Sequence, residues 1–347
     1  GVLYSHRSTV LHSFAICMAD ALALSGADIV LPVVPMFHVN AWGMPYAAAM
    51  VGAKLVLPGP GLDGKSIHEL VESEKVTSLL GVPTVWLNLL NHLKSINHVL
   101  TTVKKVVIGG SACPASMIEA FETVHHARVI HAWGMTEMSP VGTVNVMLPK
   151  HESLSYAEQM PIKLKQGRAI YGVEMRIVDE NGAELPHDGK HSGDLQVRGP
   201  WIARKYFNDD KSTAWQDGWF STGDIANIDA DSYMQITDRT KDVIKSGGEW
   251  VSSIDVENAA MGCPGVAQAA CIGVVHPKWG ERPLLIVVRA PGANPKPDDI
   301  LAYLSSKILK WWVPDAVHFV DALPIGPTGK VLKRALRETL KDYAFPT

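Results

Sequence analysis

The residues able to bind and act on a small charged ligand gather in a few short stretches. The run Val106–Ile108 empties into Gly109-Gly110-Ser111-Ala112-Cys113-Pro114, and Val129–His131 opens into Ala132-Trp133-Gly134-Met135-Thr136-Glu137. A strand that leads through a glycine turn to a helix N-terminus lets main-chain N–H groups approach a ligand closely, at the helix end that favours anions. Two such exits from neighbouring strands place one site at the carboxyl edge of a sheet. Further on, Phe220–Trp250 (FSTGDIANIDADSYMQITDRTKDVIKSGGEW) changes character after Asp238, where RTKDVIKSGGEW packs three cations and a glycine pair into a dozen residues. A short polar connector followed by a fresh apolar pattern marks a domain boundary, here read as a hinge with catalytic groups on both sides. Taken singly, these residues have plainer readings. Thr136 and Glu137 can begin a capped helix, and Asp224 can serve a turn. Arg239, and Lys330 in its Pro-Thr-Gly turn, can be solvated charges.

The elements that would position them follow from periodicity. At 347 residues and 47% hydrophobic, the chain can bury a large core and divide into two unequal domains. A net charge of −3 gives no electrostatic case for nucleic acid or an anionic membrane surface, and no apolar run reaches a membrane span. Cys17, Cys113, Cys263 and Cys271 share no ligand-like spacing, which reads as thiols in a reducing, cytoplasmic compartment. Ser8 can cap a core helix on Val10, Leu11, Phe14, Ala15 and Met18 that ends near Gly26. Runs at Ile29–Val34, Lys54–Leu57 and Val76–Leu80 alternate with helical stretches at Ile67–Glu74 and Thr84–Leu93, implying a largely parallel sheet covered on both faces. Pro114 suits the first position of the helix that follows. Beyond His151 the pattern turns antiparallel, with Val173–Asp179, a turn at Asn181-Gly182, Leu195–Arg198 and Trp219–Ile228 as hairpin strands. After Glu249 come a helix near Ile254–Met261, strands at Gln268–Val275 and Leu284–Arg289, a helix from Asp298 to Lys310 and a strand at Ala316–Val320. The expected fold is α/β. Residues 1–239 form a large N-terminal domain of mixed, mostly parallel sheets with a β-hairpin subdomain, and residues 240–347 a small mobile α+β C-terminal domain.

Four stretches in order carry a family resemblance: GVLYSHR (Gly1–Arg7), HAWGMTE (His131–Glu137), STGD with DRTKDVIKSGGE (Ser221–Asp224, Asp238–Glu249) and PTGK (Pro327–Lys330). Together they resemble the adenylate-forming superfamily of acyl-CoA synthetases, peptide-synthetase adenylation domains and luciferases, over essentially the whole chain. The family's Ser/Thr/Gly-rich phosphate loop would lie immediately before Gly1, so the resemblance implies an N-terminal part that this sequence lacks. Such enzymes join a carboxylate to AMP with release of pyrophosphate, then let the CoA thiol displace AMP. Gathering anions in this way calls for cations, Mg²⁺ and backbone N–H groups.

Roles follow from the resemblance, position by position. Lys330 would reach the α-phosphate and carboxylate during adenylation, Thr136 would contact phosphate, and Glu137 would help hold Mg²⁺. Ser111, Ala112, Trp133 and Gly134 would border the adenine of ATP or AMP, and Asp224 and Arg239 would hold the ribose hydroxyls. Lys241 would be the hinge about which the small domain turns, delivering Lys330 in one pose and the Gly247-Gly248-Glu249 loop to the CoA channel in the other.

The segment Pro35-Met36-Phe37-His38-Val39-Asn40-Ala41-Trp42-Gly43 resembles the family's second pocket segment. His38 and Trp42 would line the acyl tunnel opposite Gly109, Met135 and Pro140, although apolar residues there also suit core packing. Two tryptophans suggest a short or medium acid. The overall pattern is similar to medium-chain fatty acyl-CoA synthetases and 3-methylmercaptopropionyl-CoA ligases. One methylene is worth only about 1–3 kcal/mol of discrimination, so these substrates are poorly separated by sequence. Loading of a carrier protein is a second reading, and the absence of an Asp on Pro35–Trp42 to meet an ammonium group argues against an amino-acid substrate. A non-catalytic nucleotide-binding homologue is a third. The expected partners are a small carboxylic acid, ATP and CoA, with no nucleic acid and no membrane span, in a homodimer.

Overall fold

The computed structural model describes residues 1–209, 211–240, 242–247, 249–326 and 330–345. The chain divides into two compact units, Gly1–Thr222 with Ala226–Gln235, and Ile236–Thr347 with Gly223–Ile225. In the first unit one sheet runs in the order β2 (Lys54–Leu55), β1 (Ile29–Pro32), β3 (Ser78–Gly81), β4 (Lys105–Ile108), β5 (Arg128–Gly134), β6 (Val141–Val144) and β7 (Arg168–Ala169). Neighbours from β2 to β5 are parallel. The pairs β5–β6 and β6–β7 are antiparallel. Antiparallel pairing therefore begins well before His151. The β-branched signal stops at His131, yet Ala132 and Trp133 continue β5 by pairing with Val144 and Thr143.

The helices of this unit are α1 (His6–Cys17), α2 (Val39–Trp42, a left-handed turn), α3 (Met44–Val51), α4 (Gly64–Glu74), α5 (Pro83–Ser95), α6 (Ala115–Glu119), α7 (Pro149–Glu152) and α8 (Tyr156–Lys163). Ile67 and Val71 on α4, and Trp86, Leu89 and Leu93 on α5, recur at helical spacing. All are buried in one core with Leu31, Leu79, Val106 and Ile108 of the sheet. Full burial of each Leu contributes about 1.5–3 kcal/mol. Asp63 caps α4 by accepting from the backbone N–H groups of Lys65 and Ser66, and Lys75 in the left-handed region ends it. Pro83 opens α5 at a position where its missing N–H costs nothing.

Three helix expectations are corrected. α1 is capped by Ser5, whose hydroxyl accepts from the Ser8 N–H, and it stops at Cys17 rather than near Gly26. Its buried face is Ser8, His12, Ser13, Ala15 and Ile16, while Val10, Phe14 and Met18 are exposed. The apolar spacing does not mark this face: His12 on it accepts from the Val141 backbone N–H, and the Ser8 and Ser13 hydroxyls are satisfied by Ser5 O of the N-cap and Thr9 O of the helix itself. Pro114 is the extended N-cap of α6 and not its first helical residue. In the second unit, α10 (Pro297–Ser305) ends five residues before Lys310, which opens a separate 3₁₀ turn, Lys310–Trp312. The Ser306 N–H bonds back to Tyr303 O and closes the helix tightly.

A second sheet has the order β10 (Trp215–Gln216), β11 (Trp219–Ile228), β9 (Gly193–Arg198), β8 (Glu174–Val178), with β12 (Met234–Arg239) on β11. The second unit is built on β14 (Glu249–Val251), β13 (Ile244–Ser246), β16 (Gly280–Arg289) and β15 (Val266–His276) in that order, with β17 (Ala316–Phe319) parallel to β16. Alternation along β15 and β16 sends Cys271, Leu285 and Val287 to a core with α9 (Ser253–Met261) and α10. Ile272, Leu284 and Ile286 face the other way, toward Leu336 of α11 (Lys333–Thr339). All four cysteines are free thiols. No described helix is long and apolar enough to cross a membrane.

Candidate active site

In the first unit the two glycine-bearing strand exits lie side by side, because Ile108 of β4 pairs with His131 of β5. A Cβ on Gly109 would stand 2.9 Å from Ala132 O and 3.2 Å from the Trp42 indole, so the backbone approach there requires glycine. Ser111 is exposed, Ala112 is half-buried, and Trp133 is buried against Gly142. Gly134 backs onto Pro140, whose carbonyl oxygen would lie 2.1 Å from an added Cβ. Met135 N–H donates to that carbonyl, and Thr136–Met138 forms a 3₁₀ turn. The loop is thus closed on itself, with Met135, Thr136 and Glu137 half-buried at its rim.

Two tyrosines distant in sequence fix this rim. Tyr4 Oη donates to Thr136 O at 2.5 Å, and Tyr206 Oη donates to Glu137 Oε1 at 2.6 Å. Burial, and then the Glu137 charge, push Tyr4 up to about 12, while burial and then the hydrogen bond to Glu137 raise Tyr206. Both phenols are therefore donors, and they hold the Thr136 backbone and the Glu137 carboxylate in fixed positions.

The Pro35–Gly43 segment leaves β1 and adopts an uncommon shape. Val39, Asn40, Ala41 and Trp42 have φ of 50°, 53°, 48° and 58°, and Gly43 follows at 75°. A left-handed turn of this kind costs about 1–2 kcal/mol for each residue with a Cβ. It brings Trp42 onto Gly109, with half-buried His38 just before the turn. Beneath Gly43 lies His12, whose Cε1 would be 3.0 Å from an added Cβ; its Nε2 accepts the Val141 N–H at 3.1 Å. One buried imidazole thereby ties the left-handed turn to the start of β6.

Burial lowers both His12 and His131 to about 4. Below pH 6.5 the unfolded chain protonates these imidazoles while the folded chain does not, so acid favours unfolding. Between pH 6.5 and about 5.5 each histidine removes about 1 kcal/mol of stability. Urea unfolding midpoints should decline over this interval. A midpoint that holds or rises would contradict the burial of two neutral imidazoles.

The second unit carries the other group of site residues. Asp224 on β11 is 1% exposed, and Arg239 at the end of β12 forms an ion pair with it, Nε lying 2.7 Å from Oδ1. The Thr240 N–H and hydroxyl both bond to Gly223 O, closing the two strands beside this pair. Lys330 is partly buried, and the Gly326 N–H bonds to Lys330 O at 2.8 Å. Burial, and then the Arg239 charge, lower the Lys330 pKa, and Asp224 opposes that shift. Asp224, Arg239 and Lys330 therefore form one electrostatic neighbourhood, and Lys330 is not the freely solvated charge of the plain reading.

Behind it lies a network for which only motif proximity gave any hint. Asp238 accepts from the backbone N–H groups of Arg239 and Ser253 and from the Ser253 hydroxyl. Lys333 bonds to Ser253 Oγ at 2.6 Å and pairs with Glu257 at 2.7 Å. β13 and β14 border the glycine pair, with Ser246 pairing with Glu249. Gly247 has φ 60°, and an added Cβ there would meet Trp279 at 2.9 Å. Arg282 anchors the strand before it, donating to Ser246 Oγ, Trp311 O, Val313 O and Asp315. Lys241, Gly248 and Pro327–Gly329 lie outside the described residues.

The chain belongs to the AMP-binding enzyme family: the family domain matches residues 1–207 and its C-terminal domain residues 255–330. It is 54% identical over 342 residues to the 3-methylmercaptopropionyl-CoA ligase of Ruegeria lacuscaerulensis, covering 99% of this chain and 64% of that protein. It is 52% identical over 342 residues to the medium-chain-fatty-acid–CoA ligase of Ectopseudomonas oleovorans, covering 99% of this chain and 63% of that protein. ATP-bound MatB from Rhodopseudomonas palustris matches with a TM-score of 0.84 at 28% identity, over 99% of this chain and 65% of its own. The chain thus spans slightly less than two thirds of the length of these relatives.

Proposed function

We propose that the protein is an ATP-dependent acid–CoA ligase. A carboxylate oxygen attacks the α-phosphorus of ATP and the bond to pyrophosphate breaks. The CoA sulfur, its proton lost to solvent, then attacks the acyl carbon and AMP leaves. The observation that carries this reading is the buried Asp224 clasping Arg239 with Lys330 in their field. An acceptor and a fork of donors suit two ribose hydroxyls, and a partly desolvated ammonium suits charge that grows on the α-phosphate.

Thr136 and Glu137 present a hydroxyl and a carboxylate on a rim braced by Tyr4 and Tyr206. One carboxylate completed by substrate phosphates is an ordinary donor set for Mg²⁺, so Glu137 fits that ion. When bound, Mg²⁺ would neutralise phosphate charge. Ser111, Ala112 and Gly134, with Trp133 behind them, would border the adenine. Residues from 240 onward would form the mobile part, with Lys241 as hinge and Gly247–Glu249 serving the thioester step. Trp42 over Gly109 supports a short or medium acid, with His38, Met135 and Pro140 assigned to the same pocket, and the names of the relatives point to 3-methylmercaptopropionate or a medium-chain fatty acid. CoA-dependent pyrophosphate release by the full-length protein across a panel of acids tests this. Turnover should peak on such acids, and the reading fails if no plain carboxylic acid supports CoA-dependent release.

A further inference from the structure

Apart from the residues assigned above, α4 and α5 carry a group of imidazoles and one carboxylate that this chemistry does not use. His68 and Glu72 stand four residues apart on α4 and so share a helix face. His92 lies in the last turn of α5, and His98 in the segment that leads on to β4. One ligand atom from each of His68, Glu72 and His98 lies within 4.8 Å of the other two. His98 Nε2 is 3.3 Å from Glu72 Oε1. Two ligands on a tetrahedral ion with bonds of about 2.0–2.1 Å are separated by about 3.3 Å, so this pair already has the spacing of such an edge.

The third member shows the same preparation. His92 Nε2 and His68 Nδ1 are 3.3 Å apart, and His68 Nε2 is buried without a hydrogen-bond partner. A buried polar atom left unpaired has lost its water without compensation. In the tautomer in which His68 Nδ1–H donates to His92, Nε2 carries a lone pair and no proton. A ring nitrogen that ligates a metal is oriented in just this way by a bond from its other nitrogen.

We propose that His68, Glu72 and His98 form a site for a divalent transition-metal ion of the zinc type, with water as a fourth ligand and His92 orienting His68. Two imidazoles and one carboxylate suit zinc, cobalt or nickel rather than magnesium or calcium, which prefer all-oxygen sites. The ligands come from α4 and from the segment after α5, so the ion clamps two parts of the chain already in contact through His98 and Glu72. The site has no direct part in the ligase reaction.

The test uses untagged full-length protein, treated with chelator, free of nucleotide and titrated with Co²⁺, whose visible absorption reports its ligands. The wild type should bind one equivalent that Zn²⁺ displaces, and Zn²⁺ should raise its unfolding midpoint. His98→Ala and Glu72→Gln should each lose the absorption band and the Zn²⁺-dependent rise. His92→Phe should keep the stoichiometry and weaken the affinity about 10–100-fold. Glu72 and His98 are about a third exposed, so metal-free midpoints of their variants should match the wild type and show that these variants fold. Absence of Co²⁺ binding overturns the proposal. One-equivalent binding that survives His98→Ala overturns it too, by assigning the ion to other histidines.

Discussion

Lys330→Ala is expected to slow acyl-adenylate formation by about 10²–10³-fold, equivalent to about 3–4 kcal/mol, while leaving thioester formation from supplied acyl-adenylate nearly unchanged. The split follows from where charge develops. In the first half-reaction negative charge grows on the α-phosphate as pyrophosphate leaves, and a partly desolvated ammonium acts more strongly than one in water. In the second half-reaction AMP is the leaving group, and the Gly247–Glu249 loop is assigned to the thiol channel. Pyrophosphate exchange measures the first step, and CoA-ester production from synthetic acyl-AMP the second. Because burial and Arg239 hold the Lys330 pKa below its ordinary value, the first step should also fall off at alkaline pH sooner than the second. Equal losses in both steps would remove Lys330 from its proposed role.

Lys333→Met is expected to destabilise the second unit by about 3–5 kcal/mol, the usual effect of removing one partner of a buried ion pair. Lys333 and Glu257 have side-chain exposures of 14% and 16%, and Asp238 is buried beside them. Burial outweighs pairing at Glu257 and Asp238, whose carboxyls both sit above their usual range. The two carboxylates in turn hold the Lys333 ammonium above its own, against the effect of burial. Without Lys333 the carboxyls should rise further. A carboxyl whose folded pKa is raised binds more protons folded than unfolded, so the variant should regain stability as pH falls toward 5. Denaturant midpoints at neutral and mildly acid pH test both statements. Adding Glu257→Gln should recover part of the loss, because it removes the stranded charge. A single variant as stable as the wild type would show that the network is not held by charge.

What could be read from the sequence was what lies within short contiguous stretches. HAWGMTE, STGD, DRTKD and PTGK each contain their own signal, and alternating apolar runs marked the parallel strands of the first sheet. What could not be read depends on residues that meet only after folding. Tyr4 and Tyr206 reach the Thr-Glu rim from opposite ends of the first unit, and nothing in the apolar spacing of α1 marks His12. The orientation of α1 was missed because helical spacing gives a stripe but not which stripe finds partners. Asp238 and Lys333 were closest to being legible. Asp238 opens the DRTKD motif and Lys333 lies three residues after Lys330, yet the Ser253 and Glu257 side chains that give them meaning come from a separate helix.

The left-handed turn at Val39–Gly43 makes stability and substrate definition pull in opposite directions. Glycine adopts such φ values without strain, so replacing Asn40 or Ala41 with glycine would relieve a local penalty. The same change would give the segment the freedom to unwind, and with it the fixed seat of Trp42 against Gly109. A stabilising substitution there would blur the floor of the proposed acyl pocket. Selection for thermal tolerance alone would therefore be expected to broaden the range of acids accepted before it lost activity.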